Sequence, residues 1–387
     1  MRLKSKGIEV LAYAVVATLI LAGCLHCPEE VNMSRNNAEP SGSKIKLIYD
    51  GDIGPDPCDF STLSMLHEYH NKGMIELLGV MGATPDPYLA STFSIYNQVY
   101  GNDIPIGSFN NAPGGVDFSD KVRKMYYGVI SRFCHADQNK AIYEKFGNSE
   151  TKRADDVPNP IELYRKLLSE ASDNSITIYA AGQLFNFPAL FASGADQYSP
   201  LSGEELLRKK VKEFVFMGGY FPVSSAFALY RATGGAEYNW WALGNKNTTR
   251  ETIPTLVKMG KPVTYIGFEV GARVLVGKEM ARRLGRDHPT TESFYLYRRT
   301  ARIPKDAEEK GLQLTANNAA FDEIALFHAV EGGIEEYFGE VQGRVQIDEN
   351  GANTWVPGDG NESYITLLPG VEGRLRETIT DRITGEF

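Results

Sequence analysis

The chain has 387 residues, of which 42% are hydrophobic and 23% charged, proportions that belong to a folded globular protein and exclude global disorder. Its formal net charge of −9 disfavours nucleic acid as a partner, because phosphate binding needs clustered Lys and Arg. Of its four cysteines, Cys24 and Cys27 fall near the N-terminus, and the remaining Cys58 and Cys134 are too few for a disulfide framework; length alone suggests two or three domains, but a large α/β sheet often makes one.

In chain order, Arg2, Lys4 and Lys6 precede an apolar run over 10–21. That run is too short for a comfortable membrane span and reads as a signal peptide over residues 1–23. It ends in Leu21-Ala22-Gly23-Cys24, which resembles a bacterial lipobox and makes Cys24 the expected lipidation site and mature first residue. Residues 24–43, with the polar stretch PEEVNMSRNNAEPSGS, read as a flexible tether. The expected location is the bacterial cell envelope, lipid-anchored, periplasmic or outer-membrane-associated. Cys24 and Cys27 have CxxC spacing, but their place in the signal and tether argues against a redox or zinc role.

From residue 44 to 387, short β-branched runs alternate with helical patterns. Strands are expected at 46–49, 75–81, 104–106, 175–180, 214–217 and 263–268. Helices are expected at 59–70, 88–100, 161–171 and 250–259, with another opening at Phe321. This rhythm predicts an α/β fold, a mostly parallel central sheet flanked by helices. Runs at 344–347 and 364–367, with a turn at Asn350-Gly351, predict a small C-terminal β hairpin. In such sheets ligands lie outside the carboxyl ends of the strands, so the residues following each strand carry the search for a site.

The first of these segments is Asp50-Gly51-Asp52-Ile53-Gly54-Pro55-Asp56-Pro57-Cys58-Asp59. Four carboxylates on a loop shaped by Gly and Pro repel one another unless a cation neutralises them, and an oxygen-rich set of this kind suits Ca²⁺. Pro55 stands where an EF-hand needs Gly and Ser61 where it needs Glu, so an EF-hand is excluded. A Mg²⁺ phosphatase loop also begins with a strand and Asp-x-Asp, but has no need of Asp59. His67-Glu68-Tyr69-His70 is one residue short of zincin spacing, and no Gly-x-Ser-x-Gly elbow occurs.

The loop resembles the signature of the inosine–uridine-preferring nucleoside hydrolase family in its longer form, Asp-x-Asp-x-Gly-x-Asp-x-Asp-Asp. Asp50, Asp52, Gly54, Asp56 and Asp59 agree with it, and Cys58 replaces the first Asp of the terminal pair. Further segments follow in family order. They are 75–85 (IELLGVMGATP), 177–186 (TIYAAGQLFN), FVFMGG at 214–219 leading to Glu237-Tyr238-Asn239-Trp240, 263–271 (VTYIGFEVG), and Phe321-Asp322. The resemblance covers roughly 45–368 and implies a Rossmann-like domain that hydrolyses the N-glycosidic bond of ribonucleosides, or a related N-riboside, to free base and ribose.

By the same resemblance, Ca²⁺ is held by Asp52, Asp59, Asp322 and the main-chain carbonyl of Ala181, and Asp52 is the catalytic base. Glu237 and Asn239 grip the ribose, while Asp56 and either Asp86 or Thr84 take contacts that Cys58 and a missing Asn cannot make. Glu269 falls at an acidic position behind them. By composition alone, Trp240, Trp241, Tyr238 or Tyr297 would stack on the base. Arg231 stands where many members have a sugar-binding Asn, and Phe321 where many have a proton-donating His; Tyr297, Arg298 or Arg302 would substitute for that donor. The partners implied are a small-molecule nucleoside, the membrane through Cys24, and, by family analogy, further copies of the chain. Two other classes share parts of the pattern: a nucleoside-binding lipoprotein without turnover, and a metal-dependent phosphatase.

Overall fold

The computed structural model describes residues 44–109, 116–134, 136–221, 236–241, 243, 245–297 and 317–387. The signal, the tether with Cys24 and Cys27, and Arg231, Arg298 and Arg302 lie outside them.

Eleven strands are described: β1 (Ile45–Gly51), β2 (Ile75–Gly82), β3 (Ile106–Gly107), β4 (Ile176–Ala181), β5 (Val211–Met217), β6 (Val263–Ile266), β7 (Leu275–Val276), β8 (Asn318–Ala319), β9 (Phe338–Ile347), β10 (Asn353–Pro357) and β11 (Glu362–Leu367). Nine form one sheet in the order β10-β9-β11-β6-β5-β4-β1-β2-β3, and β7 pairs with β8 separately. From β11 through β3 every pairing is parallel. Alternate residues along the strands feed two apolar layers, with Leu47, Tyr49, Tyr179, Val215 and Met217 on one side. Ile48, Ile178, Ala180, Phe214 and Phe216 lie on the other. This is the two-residue period of a strand buried on both faces.

Two helices matter most to the site. α1 (Pro57–Asn71) follows β1 and α2 (Phe321–Glu331) follows β8, and the two pack together. α1 begins two residues before the expected 59–70, with Asp56 rather than Asp59 as N-cap and Pro57 in the first turn, the pairing that pre-sets helical φ and satisfies the free N–H groups.

Three expectations are corrected. The run 263–268 ends as a strand at Ile266, because Gly267 breaks it and Phe268–Gly271 turns into a short helix. The C-terminal turn joins β9 to β10 rather than to 364–367, and β11 returns to pair with both β9 and β6. The hairpin is thereby built into the main sheet instead of standing beside it. The strand expected at 104–106 begins at Ile106, after Pro105, which has no N–H to give a ladder.

The chain runs from β1 outward through β2 and β3, then crosses to β4 and continues outward through β5 and β6 on the other side. The direction reverses between β1 and β4. A sheet opens its ligand crevice at such a reversal, outside the carboxyl ends of the two strands.

Candidate active site and metal centre

Asp52 lies just past β1 and Ala181 closes β4, with Gly51 and Ala181 in register across the reversal. Asp59 occupies the third position of α1, where its Oδ2 accepts from the backbone N–H of Gly54 at 3.0 Å and of Asp56 at 3.4 Å. Asp322 stands in the first turn of α2, and Tyr179 of β4 holds that turn by donating from its hydroxyl to the Asp322 carbonyl at 2.7 Å. Two helix N-termini therefore point their positive ends at one cluster of carboxylates.

Asp52, Asp59 and Asp322 are each no more than 5% exposed. Burial, against the backbone and Gln183 hydrogen bonds and with the charge of Asp56 adding, lifts Asp52 to about 7. Asp59 and Asp322 are raised well above the usual carboxylate range, by burial first, with the charge of Asp52 also raising both. Asp322 Oδ2 has no hydrogen-bond partner. Buried carboxyls in mutual contact cannot all ionise without a positive charge among them, so this donor set fits a divalent cation. One ligand atom each from Cys58, Asp59 and Asp322 lie within 4.8 Å of one another.

The other half of the crevice is built at the end of β5. Glu237 Oε2 accepts from the backbone N–H of Asn239 at 2.9 Å and of Gly219 at 3.3 Å, and burial raises its carboxyl to about 8. Asn239 Nδ2 donates to the Met217 carbonyl at 3.2 Å. Gln183 joins the halves: its Nε2 donates to Asp52 Oδ2 at 2.9 Å and approaches Asn239 Oδ1 at 3.4 Å. Sequence reasoning passed over Gln183, although an amide two residues beyond β4, inside TIYAAGQLFN, is a signal that could have found it.

Asp50 faces away from this cluster. Asn186 and Tyr164 hydrogen-bond its carboxylate, at 3.0 and 2.9 Å, and burial lifts it to about 7. Asn186 also donates to the Gly82 carbonyl at 3.1 Å, so the group ties β1, β2 and the loop after β4 together. Gly54 has φ 139°, and a Cβ there would collide with Asn139 and the Tyr126 hydroxyl; only glycine fits.

Several expected contacts are placed elsewhere. Asp86 is fully buried and accepts from Tyr126 at 2.8 Å, Tyr88 N–H at 2.8 Å and Asn139 at 3.0 Å. Asn139 donates as well to the Ile53 carbonyl, which makes Asp86 a brace for the aspartate loop. Thr84 is also fully buried. Asp56 accepts from Asn318 and, at 3.2 Å, from Tyr297. Trp240 is a correction. Its ring is fully buried, crossing Tyr265 and Phe221 edge-on under Gly218, and so belongs to the core rather than to a surface for a base. The side chain of Trp241 lies outside the description. Glu269 is raised well above its ordinary range by burial, with Glu237 contributing.

Gly182 gives a test of this packing. A Cβ there would lie 2.8 Å from the Asp52 nitrogen and 3.0 Å from the Asp52 Cβ, so Gly182→Ala must push Asp52 aside. For a chain whose turnover runs through Asp52, a displacement of about 1 Å would cost roughly 10²-fold. A loss of that order in kcat, with circular dichroism unchanged, is expected; unaltered kcat would show that Asp52 tolerates movement.

No protein-family model and no curated protein matches this sequence. Solved structures do match. The purine-preferring ribonucleoside hydrolase from Gardnerella vaginalis is 15% identical with TM-score 0.58, covering 88% of this chain and 98% of its own. The inosine-uridine preferring nucleoside hydrolase from Bacillus anthracis is 15% identical with TM-score 0.55, covering 88% and 99%. The type III effector protein XopQ, complexed with adenosine diphosphate ribose, is 14% identical with TM-score 0.57, covering 89% and 94%. At such identities the likeness establishes a shared fold.

Proposed function

We propose that the chain is a calcium-dependent N-ribohydrolase, cleaving the bond between ribose and base in a ribonucleoside or related N-riboside. The observation that carries this reading is the Gln183 bridge. One amide side chain couples Asp52, in the carboxylate cluster, to Asn239, beside Glu237 in a second polar cluster, at the reversal point of a sheet shared with structures described as nucleoside hydrolases.

In this reading Asp52, Asp59, Asp322 and the Ala181 carbonyl hold Ca²⁺, an ion that takes six to eight oxygens. Bound there, it would orient a water and the ribose hydroxyls against one another and lower the water's pKa. Its charge would also keep the buried carboxyls ionised, leaving Asp52 free to accept a proton. Asp52 takes that proton as the water oxygen bonds to C1′ of ribose, and the C1′–N bond breaks through an oxocarbenium-like state. Gln183 fixes the orientation of Asp52. Glu237 and Asn239 hold the sugar hydroxyls. Products decide the matter: a ribohydrolase converts nucleosides to free base and ribose, a binding protein returns them unchanged, and a phosphatase releases phosphate only from nucleotides.

Two further results are expected. Protein purified without chelator should contain one calcium per chain by elemental analysis; a fully active sample without calcium contradicts the assignment. In its own cell the chain should be held at the envelope through lipidated Cys24, and Cys24→Ser should move it from the membrane to the soluble fraction. Persistence of that variant on the membrane would contradict a lipid anchor at Cys24.

A further inference from the structure

The first turn of α1 presents two adjacent side chains of different chemistry to the same point. Asp59 offers a hard carboxylate oxygen, and Cys58 offers sulfur. Cys58 is 3% exposed, and its Sγ donates to Asp59 Oδ1 across 3.9 Å. From the facing helix Asp322 completes a triangle whose ligand atoms lie within 4.8 Å of one another. One corner is open: Asp322 Oδ2 is buried and has no partner. A packing role explains a buried cysteine among apolar neighbours, but this thiol is set among carboxylates, within reach of both Asp59 and Asp322.

Sulfur is a poor ligand for calcium and a good one for softer ions. We propose that Cys58, Asp59 and Asp322 form a mixed sulfur–oxygen site that binds a thiophilic divalent cation, of the zinc and cadmium kind, through Cys58 Sγ. The proposal rests on the reading that this crevice takes a divalent cation, and it adds that the chain's own cysteine changes which cations can enter. Binding replaces the S–H bond by a sulfur–metal bond and sends that proton to solvent, with no change in oxidation state. Bond lengths of about 2.3 Å to sulfur and 2.0–2.2 Å to carboxylate oxygen, as for zinc, are compatible with a triangle of this size. A nucleoside-cleaving calcium site with this corner would be open to inhibition by soft cations.

Cadmium chloride is the probe, titrated into full-length chain stripped of metal, with Cys24 and Cys27 changed to Ser to remove the N-terminal thiols. The expected result is an ultraviolet sulfur-to-cadmium charge-transfer band that saturates at one equivalent. It should vanish in Cys58→Ser and survive in Cys134→Ser. Cadmium NMR of the same parent, with Cys24 and Cys27 changed and Cys58 retained, gives a reading that needs no folded Cys58 variant, since a sulfur ligand moves the resonance far downfield of an all-oxygen site. Absence of the band at saturating cadmium, its persistence in Cys58→Ser, or an all-oxygen cadmium resonance overturns the proposal. These outcomes are separate from catalysis. A cadmium band in a chain that cleaves no nucleoside leaves the sulfur site standing and removes the ribohydrolase reading.

Discussion

Asp52→Asn should reduce turnover by roughly 10²–10⁴-fold or more, the size of the loss when a positioned general base is removed. Asparagine is nearly the same shape, and by turning its amide it can still present an oxygen to Gln183 Nε2, which now reaches Asp52 Oδ2 at 2.9 Å. The fold should therefore persist. A second readout separates chemistry from collapse. In the folded chain burial raises the Asp52 carboxyl to about 7 from an ordinary 3.8, so in chelated protein it favours the folded state while protonated. That contribution is complete below the unfolded value and is lost as pH rises through about 7. Chelated wild type should lose thermal stability over that window, and chelated Asp52→Asn should lose less. Turnover at the wild-type rate in the variant would remove Asp52 from the mechanism.

Phe321 carries the second large effect. It opens α2 immediately before Asp322 and stacks on Phe268, with centroids 4.9 Å apart and planes at 28°. A phenyl ring cannot give a proton to a departing base, and Tyr297, one substitute considered from the sequence, has its hydroxyl directed at Asp56. Lack of a positioned acid costs about 10²–10⁴-fold. Inosine should thus be cleaved slowly relative to p-nitrophenyl riboside, whose leaving group departs unprotonated, by a ratio in that range. Phe321→His should narrow the ratio by raising the inosine rate alone. If wild type already cleaves both at similar rates, an acid other than those considered serves the leaving group.

How much of this was legible beforehand depended on range along the chain. The β1 strand and the helix after the aspartate loop follow from local chemistry, a β-branched run and an apolar helical pattern, although the Asp56–Pro57 cap starts that helix two residues before the expected 59. The convergence of Asp322 with Asp59 was legible through family resemblance; no local spacing links residues 263 positions apart. Gln183 and Asn186 were missed because amides in a loop signal nothing until the sheet order sets β4 beside β1. Trp240 misled for a similar reason. An aromatic beside two polar residues reads as a ligand contact, and only the packing under Gly218 shows it to be core. The β11 strand was recognisable as a strand, but its pairing with β6 was fixed by tertiary context rather than by the turn at 350–351.

The most direct test is a proton NMR time course of purified protein with a panel of ribonucleosides in phosphate-free buffer, run with calcium and again with chelator. At least one nucleoside should disappear while free base and ribose accumulate in equal amounts, and chelation should stop the conversion until calcium is restored. Nucleosides that remain intact throughout, or conversion that proceeds unchanged in chelator, would contradict calcium-dependent N-ribohydrolysis.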